Sequence, residues 1–252
     1  RPAVAPCPAA NSVGATHSLS DPSGYWMLGA LGTVYRFGSA VDYGQPSAAL
    51  PAGVSAVDLE PTPSSSGYWV LDTRGCILNY GDAHHYGNVI PTMLRPGERA
   101  VSISAVGSTG YLVFTNRGKV LTFGAAHWYG DMSTAVLNGP VLGSIVTPSG
   151  LGYYMVASDG GIFAFGTAQF RGSMGGQRLN ASVQSLTPDG DGDGYWLVAR
   201  DGGIFAFSAP FKGSMGSVTL NRPVSGMVRF GDGYLMVGED GGIFNFSSSA
   251  FY

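Results

Sequence analysis

Asp189, Asp191 and Asp193 form the densest set of hard-metal oxygens in the chain. They lie within Thr187-Pro188-Asp189-Gly190-Asp191-Gly192-Asp193-Gly194. Asp-x-Asp-x-Asp-Gly opens a calcium loop, in which alternate carboxylates converge on one ion. The bidentate glutamate needed at the twelfth position falls on Arg200, a cation that cannot ligate. Calcium is the only cofactor the sequence suggests. The missing ligand favours a lengthened, solvated polar turn without an ion.

Other candidates for chemistry are weaker. His84 and His127 occupy equivalent places in Ala83-His84-His85-Tyr86 and Ala126-His127-Trp128-Tyr129, and His17 stands apart. Adjacent strand residues face opposite ways, so His84 and His85 do not chelate one metal. No Gly-x-Ser-x-Gly elbow exists. Asp159, Asp201 and Asp240 recur at equivalent turns, whereas a unique catalytic carboxylate pair should break a repeat. No catalytic residue is assigned. Trp26, Trp69 and Trp196 also recur, as a multivalent lectin would require, but their mid-strand setting among Leu and Val reads as packing. Trp128, equivalent to Phe170 and Phe211, is expected to pack as well.

Cys7 and Cys76 are the two cysteines and form no Cys-x-x-Cys pair. Two thiols and one disulfide are both open. We expect the disulfide, because Cys7 lies in an irregular segment with little else to hold it.

The elements that position these residues come from a repeat. Gly-Tyr recurs at Gly24-Tyr25, Gly67-Tyr68, Gly110-Tyr111, Gly152-Tyr153, Gly194-Tyr195 and Gly233-Tyr234, at spacings of 43, 43, 42, 42 and 39. Each opens an apolar run such as Tyr195-Trp196-Leu197-Val198. A turn follows, Asp-Gly-Gly in the last three copies and a single glycine (Gly32, Gly75, Gly118) in the first three. Asp-Gly between apolar runs predicts a hairpin with a type I′ turn. A second run follows, such as Ile204-Phe205-Ala206-Phe207. A third ends near Tyr43, Tyr86, Tyr129, Phe170, Phe211 and Phe251, and a fourth, small-residue run precedes the next Gly-Tyr.

Four short strands at a period near 42 predict an all-β six-bladed β-propeller, with four antiparallel strands per blade. Strands apolar on both faces suit blades covered on each side. Residues 1–11 read as a leader or linker and 12–252 as the propeller. The small-residue strand is assigned to the channel side, and its first copy, near residues 13–19, completes the ring; in the other register that strand is an outer one and closes the ring with blade six.

Charged residues make up 12%, about half the usual share, and net charge is -3. Lys119 and Lys212 are the only lysines and no basic run exists, so a nucleic-acid partner is excluded. No stretch reaches the roughly 18 apolar residues of a membrane span.

Gly194-Tyr195-Trp196-Leu197-Val198-Ala199-Arg200-Asp201-Gly202-Gly203-Ile204-Phe205-Ala206-Phe207 resembles the Gly-Tyr-Trp…Asp-Gly-Gly-Ile-Phe repeat of secreted actinobacterial proteins. Copies four to six, about residues 139 to 252, match well; copies one to three match at aromatic and glycine positions. The resemblance implies an extracellular, propeller-like module attached to cell-envelope domains, and transfers no catalytic residue. The expected function is a secreted or cell-surface, non-catalytic module whose partner is a protein or envelope component. A glycan-binding lectin is the alternative, and an enzyme with a site at the channel mouth ranks last.

Overall fold

The structure is a computed structural model that describes residues 24–48 and 50–249. The chain divides into two compact units, Arg1–Trp128 and Tyr129–Tyr252. In the first unit, β1 (Tyr25–Leu28) pairs with β2 (Val34–Phe37). Two three-stranded antiparallel sheets follow: β3 (Ala56–Pro61), β4 (Gly67–Asp72) and β5 (Ile77–Gly81), then β6 (Ala100–Val106), β7 (Gly110–Thr115) and β8 (Val120–Gly124). The second unit repeats the pattern with β9 (Val141–Val146), β10 (Gly152–Ala157) and β11 (Ile162–Gly166). Next come β12 (Val183–Pro188), β13 (Tyr195–Ala199) and β14 (Ile204–Phe207), and then β15 (Val224–Phe230), β16 (Gly233–Gly238) and β17 (Ile243–Phe246). The Gly-Tyr strand is always the middle one where three are described.

The middle strands explain the two-faced apolar pattern. Alternate residues point to opposite faces, and both faces of β4 and of β13 are covered within their units. Trp69 and Leu71 of β4 pack with Tyr111 and Val113 of β7, while Tyr68 and Val70 pack with Trp26 and Leu28 of β1. In the second unit Tyr154 and Val156 meet Tyr195 and Leu197, and Trp196 and Val198 meet Tyr234 and Met236. Every residue of β4, β7 and β10 is buried.

The hairpin turn differs from the expected type I′. Asp159 has negative φ, and only Gly160 of its turn is left-handed, at 78°. Gly160 donates to the Ala157 carbonyl at 2.9 Å, and Ala157 donates to Gly161 at 2.9 Å. This is a type I turn closed by a left-handed glycine, the usual three-residue hairpin. Gly32, Gly75, Gly118, Gly202 and Gly241 hold the same conformation. The first three copies therefore keep the one glycine that the geometry requires.

The strand predicted for the third run is not formed: among the described residues that run is irregular, and each sheet of the later copies has three strands. It touches its hairpin through isolated bonds, Val89 N–H to Gly75 O, Met174 N–H to Gly160 O and Met215 N–H to Gly202 O, each 2.9 Å. Left-handed glycines at Gly44, Gly87, Gly130, Gly172 and Gly213 break any extended run there. The strand expected near residues 13–19 lies outside the described residues, as does Phe251.

Within each unit neighbouring sheets come closest along their small-residue strands, β3 beside β6, and β9, β12 and β15 in succession. Each carries a register shift at one place, between Ala56 and Asp58, Ala100 and Ser102, Val141 and Gly143, Val183 and Ser185, and Val224 and Gly226. A bulge at this point bends the strand.

Candidate functional site

The repeat signature is first of all a joint. From the second copy on, the Gly-Tyr hydroxyl reaches back to the backbone of the segment before it. Tyr111 Oη donates to Gly87 O at 2.6 Å and accepts from Tyr86 N–H at 3.1 Å. Tyr153 bridges Gly130 and Tyr129 in the same way, Tyr195 bridges Gly172 and Arg171, and Tyr234 bridges Gly213 and Lys212. Tyr68 donates to Gly44. Burial pushes Tyr111 up to about 12 and raises Tyr153, Tyr195 and Tyr234, so these groups remain neutral donors. The clasped glycine lies against an aromatic: a Cβ on Gly172 would sit 2.5 Å from the Phe207 ring, and one on Gly213 2.6 Å from Phe246.

The recurrent tryptophans belong to the same joints. Trp69 and Trp196 are 1% exposed. Trp69 Nε1 donates to His84 O at 2.7 Å, and its ring meets Tyr111 edge-on at 5.7 Å. Trp196 repeats this with Pro210 O and Tyr234, and Trp26 with Val41 O and Tyr68. These rings are packing residues, as the sequence indicated.

The turn aspartates act on their own backbones. Asp159, Asp201 and Asp240 accept N–H bonds from Gly161, Gly203 and Gly242 at 3.0 to 3.1 Å. In the Asp189-Asp191-Asp193 loop the three side chains take separate roles. Asp189 turns inward, 6% exposed, and Oδ1 accepts from Gly192 and Gly194. Asp191 accepts from Asp193 N–H. The Asp193 carboxylate lies 3.9 Å from the Arg171 guanidinium. Burial raises Asp189, while the Asp193 N–H lowers Asp191. Among the described residues no three His, Cys, Asp or Glu side chains are arranged to hold a metal.

His84, His85 and His127 are all exposed, and His85 lies 3.3 Å from Asn88. His17 lies outside the described residues. Cys76 is buried at 1% exposure, and Cys7 lies outside the described residues.

Two features escaped the sequence reading. Trp128 does not pack: it is 60% exposed, and its equivalents Phe170 and Phe211 are 59% and 61% exposed. The backbone carbonyl one residue earlier is engaged, as at Gln169 and Pro210, so the strand-like segment turns the next side chain outward. In the second unit each exposed ring precedes a tethered cation. Arg171 Nε donates to Asp193 O at 2.9 Å, and Lys212 Nζ lies 2.8 Å from Asp232. Lys212 and Ser248 hold the Asp232 carboxyl well below the usual carboxylate range.

The second is a pair of half-buried carboxyls on β3, where β6 presents its unpaired edge. Asp58 Oδ2 accepts from Ser102 Oγ and Ile103 N–H, both at 2.9 Å, and Glu60 Oε1 accepts from Ala105 N–H at 2.8 Å. Burial raises both, Glu60 to about 8, with the Asp58 charge adding to it. At the place of Glu60 the second unit has Thr187, whose hydroxyl donates to Met227 O at 3.0 Å. These polar groups bond to the free edge of the next sheet at two places, β3 to β6 and β12 to β15, whereas Ile145 holds the same place on β9. Only the alternation of Asp58 and Glu60 in an otherwise apolar run hinted at it.

No protein-family profile and no curated protein matches the chain. Solved structures resemble it, among them the following two. A structural-genomics protein of unknown function from Bacteroides thetaiotaomicron has a TM-score of 0.49 and 11% identity, over 73% of this chain and 57% of that protein. YCF48 from Cyanidioschyzon merolae has a TM-score of 0.49 and 18% identity, over 81% of this chain and 72% of that protein. The chain thus spans little more than half the length of the first.

Proposed function

We propose that this chain is a non-catalytic six-bladed β-propeller, secreted or at the cell surface, that serves as a protein-interaction or envelope structural module. The observation that carries the reading is the engagement of the repeated polar residues: Tyr111, Tyr153, Tyr195 and Tyr234 bridge backbones, and Asp159, Asp201 and Asp240 hold turns. A catalytic site would need such groups turned toward a substrate. The repetition of one joint chemistry supports equivalent blades, and the resemblance to secreted actinobacterial repeats supports the compartment. A Cys7–Cys76 disulfide, tying the leader to the second copy, belongs to the same proposal.

Co-sedimentation with isolated actinobacterial cell envelopes tests the reading, combined with a turnover screen on ester, peptide and glycoside substrates. The chain is expected to pellet with envelopes and to turn nothing over. Substrate turnover above background, or a chain left wholly in the supernatant, contradicts the proposal.

A further inference from the structure

Phe170 and Phe211 hold the same place in successive copies of the second unit, and their rings face solvent. Each is followed by a cation tied to an acid: Arg171 to Asp193, whose carboxylate is 79% exposed, and Lys212 to Asp232, whose carboxylate is 49% exposed. A lone exposed aromatic is ordinary. A ring left exposed at one repeat position, one residue before a cation held by an acid, is a repeated feature, while Trp196 and Tyr234 are buried.

We propose that Phe170 with Arg171 and Asp193, and Phe211 with Lys212 and Asp232, are two shallow sugar-binding sites, and that their ligand is a hydroxyl-rich polysaccharide of repeating units. The ring offers a flat apolar face to the C–H side of a pyranose. The tethered cation donates to sugar hydroxyls and the exposed carboxylate accepts from them, as charge-assisted bonds. Each site's charges offset one another, which removes the positive field that a polyanion would need. A protein partner fits less well, because protein interfaces gather their aromatic anchors in one continuous, water-excluded centre. Here the same small site recurs with the repeat, which matches a periodic polymer, and linkage of weak sites raises overall affinity. Trp128 holds the same repeat position in the first unit. The inference rests on the binding-module reading and names its ligand.

Affinity electrophoresis of the full chain tests it, in gels containing mannan, arabinogalactan, β-1,3-glucan or dextran. At least one polysaccharide is expected to retard the chain. Phe170→Ala with Phe211→Ala should weaken that retardation about tenfold or more, since two linked stacking contacts are lost. Phe170→Tyr with Phe211→Tyr should retain it, and Val218→Ala, an exposed control, should leave it unchanged. Matching melting temperatures establish that the variants fold. Absence of retardation in all four gels, or equal retardation of the double alanine variant, overturns the inference. If the chain still pellets with envelopes in that case, the module reading stands and only its glycan ligand fails. Release of reducing sugar in the gels would instead sink the non-catalytic reading.

Discussion

Glu60 holds a proton that a solvated glutamate would have lost. Its folded-state value is raised to about 8, against 4.5 for the ordinary group, mainly by burial. The unfolded chain releases this proton near 4.5 and the folded chain near 8. Stability from the protonated carboxyl is therefore complete in acid and is lost as pH rises between the two values. Glu60→Gln keeps the Oε1 acceptor for Ala105 N–H and cannot ionise. The variant should match the wild type near pH 4 and exceed it at pH 8 by roughly 2 kcal/mol, or about 4–8 °C. Thermal melts across this range check it, and parallel curves would contradict it. At the Asp189 loop, Asp189→Ala should cost about 1–3 kcal/mol by leaving the Gly192 and Gly194 N–H groups without their acceptor. Asp191→Asn should stay within about 0.5 kcal/mol, and a chelator should leave the melting curve unmoved. A chelator-induced drop abolished by Asp191→Asn would restore the calcium reading.

At the scale of elements, the joint between copies is the Tyr–Gly clasp. Tyr195→Phe removes a hydroxyl that both accepts from Arg171 N–H and donates to Gly172 O. We expect a loss of about 1–3 kcal/mol in urea unfolding, because partly buried backbone groups lose their partner. Gly172→Ala should cost more, since φ is 134° and the new Cβ would meet the Phe207 ring. No change in either variant would remove the clasp from the account. The Gly-Tyr period and both hairpin strands were legible in the sequence, because apolar runs and turn residues depend on short-range pattern. The clasp was not, because its partners lie 21 to 24 residues apart. The third run misled for a related reason: its aromatics resemble a strand, whereas Gly172 and Gly213 in left-handed conformation prevent one. The residue types of Trp128, Phe170 and Phe211 suggest packing, whereas their exposure depends on that same irregular backbone.

For the whole molecule, the expected Cys7–Cys76 disulfide would tie the leader to the second copy and add about 2–4 kcal/mol. Intact-mass measurement with alkylation should find no free thiol in freshly secreted protein, and two alkylated cysteines would refute the bond. Beyond their alternation in an apolar run, nothing in the sequence marks Asp58 and Glu60 as a site, because they act across two sheets, on the backbone of Ile103 and Ala105.

At the centre stands the proposal that six equivalent copies make six blades of one ring. A crystal structure of the chain tests it most directly. It should show six antiparallel sheets around one axis, with Tyr25, Tyr68, Tyr111, Tyr153, Tyr195 and Tyr234 at equivalent places on their middle strands. Five or seven blades, an open array, or sheets packed as a sandwich would contradict it.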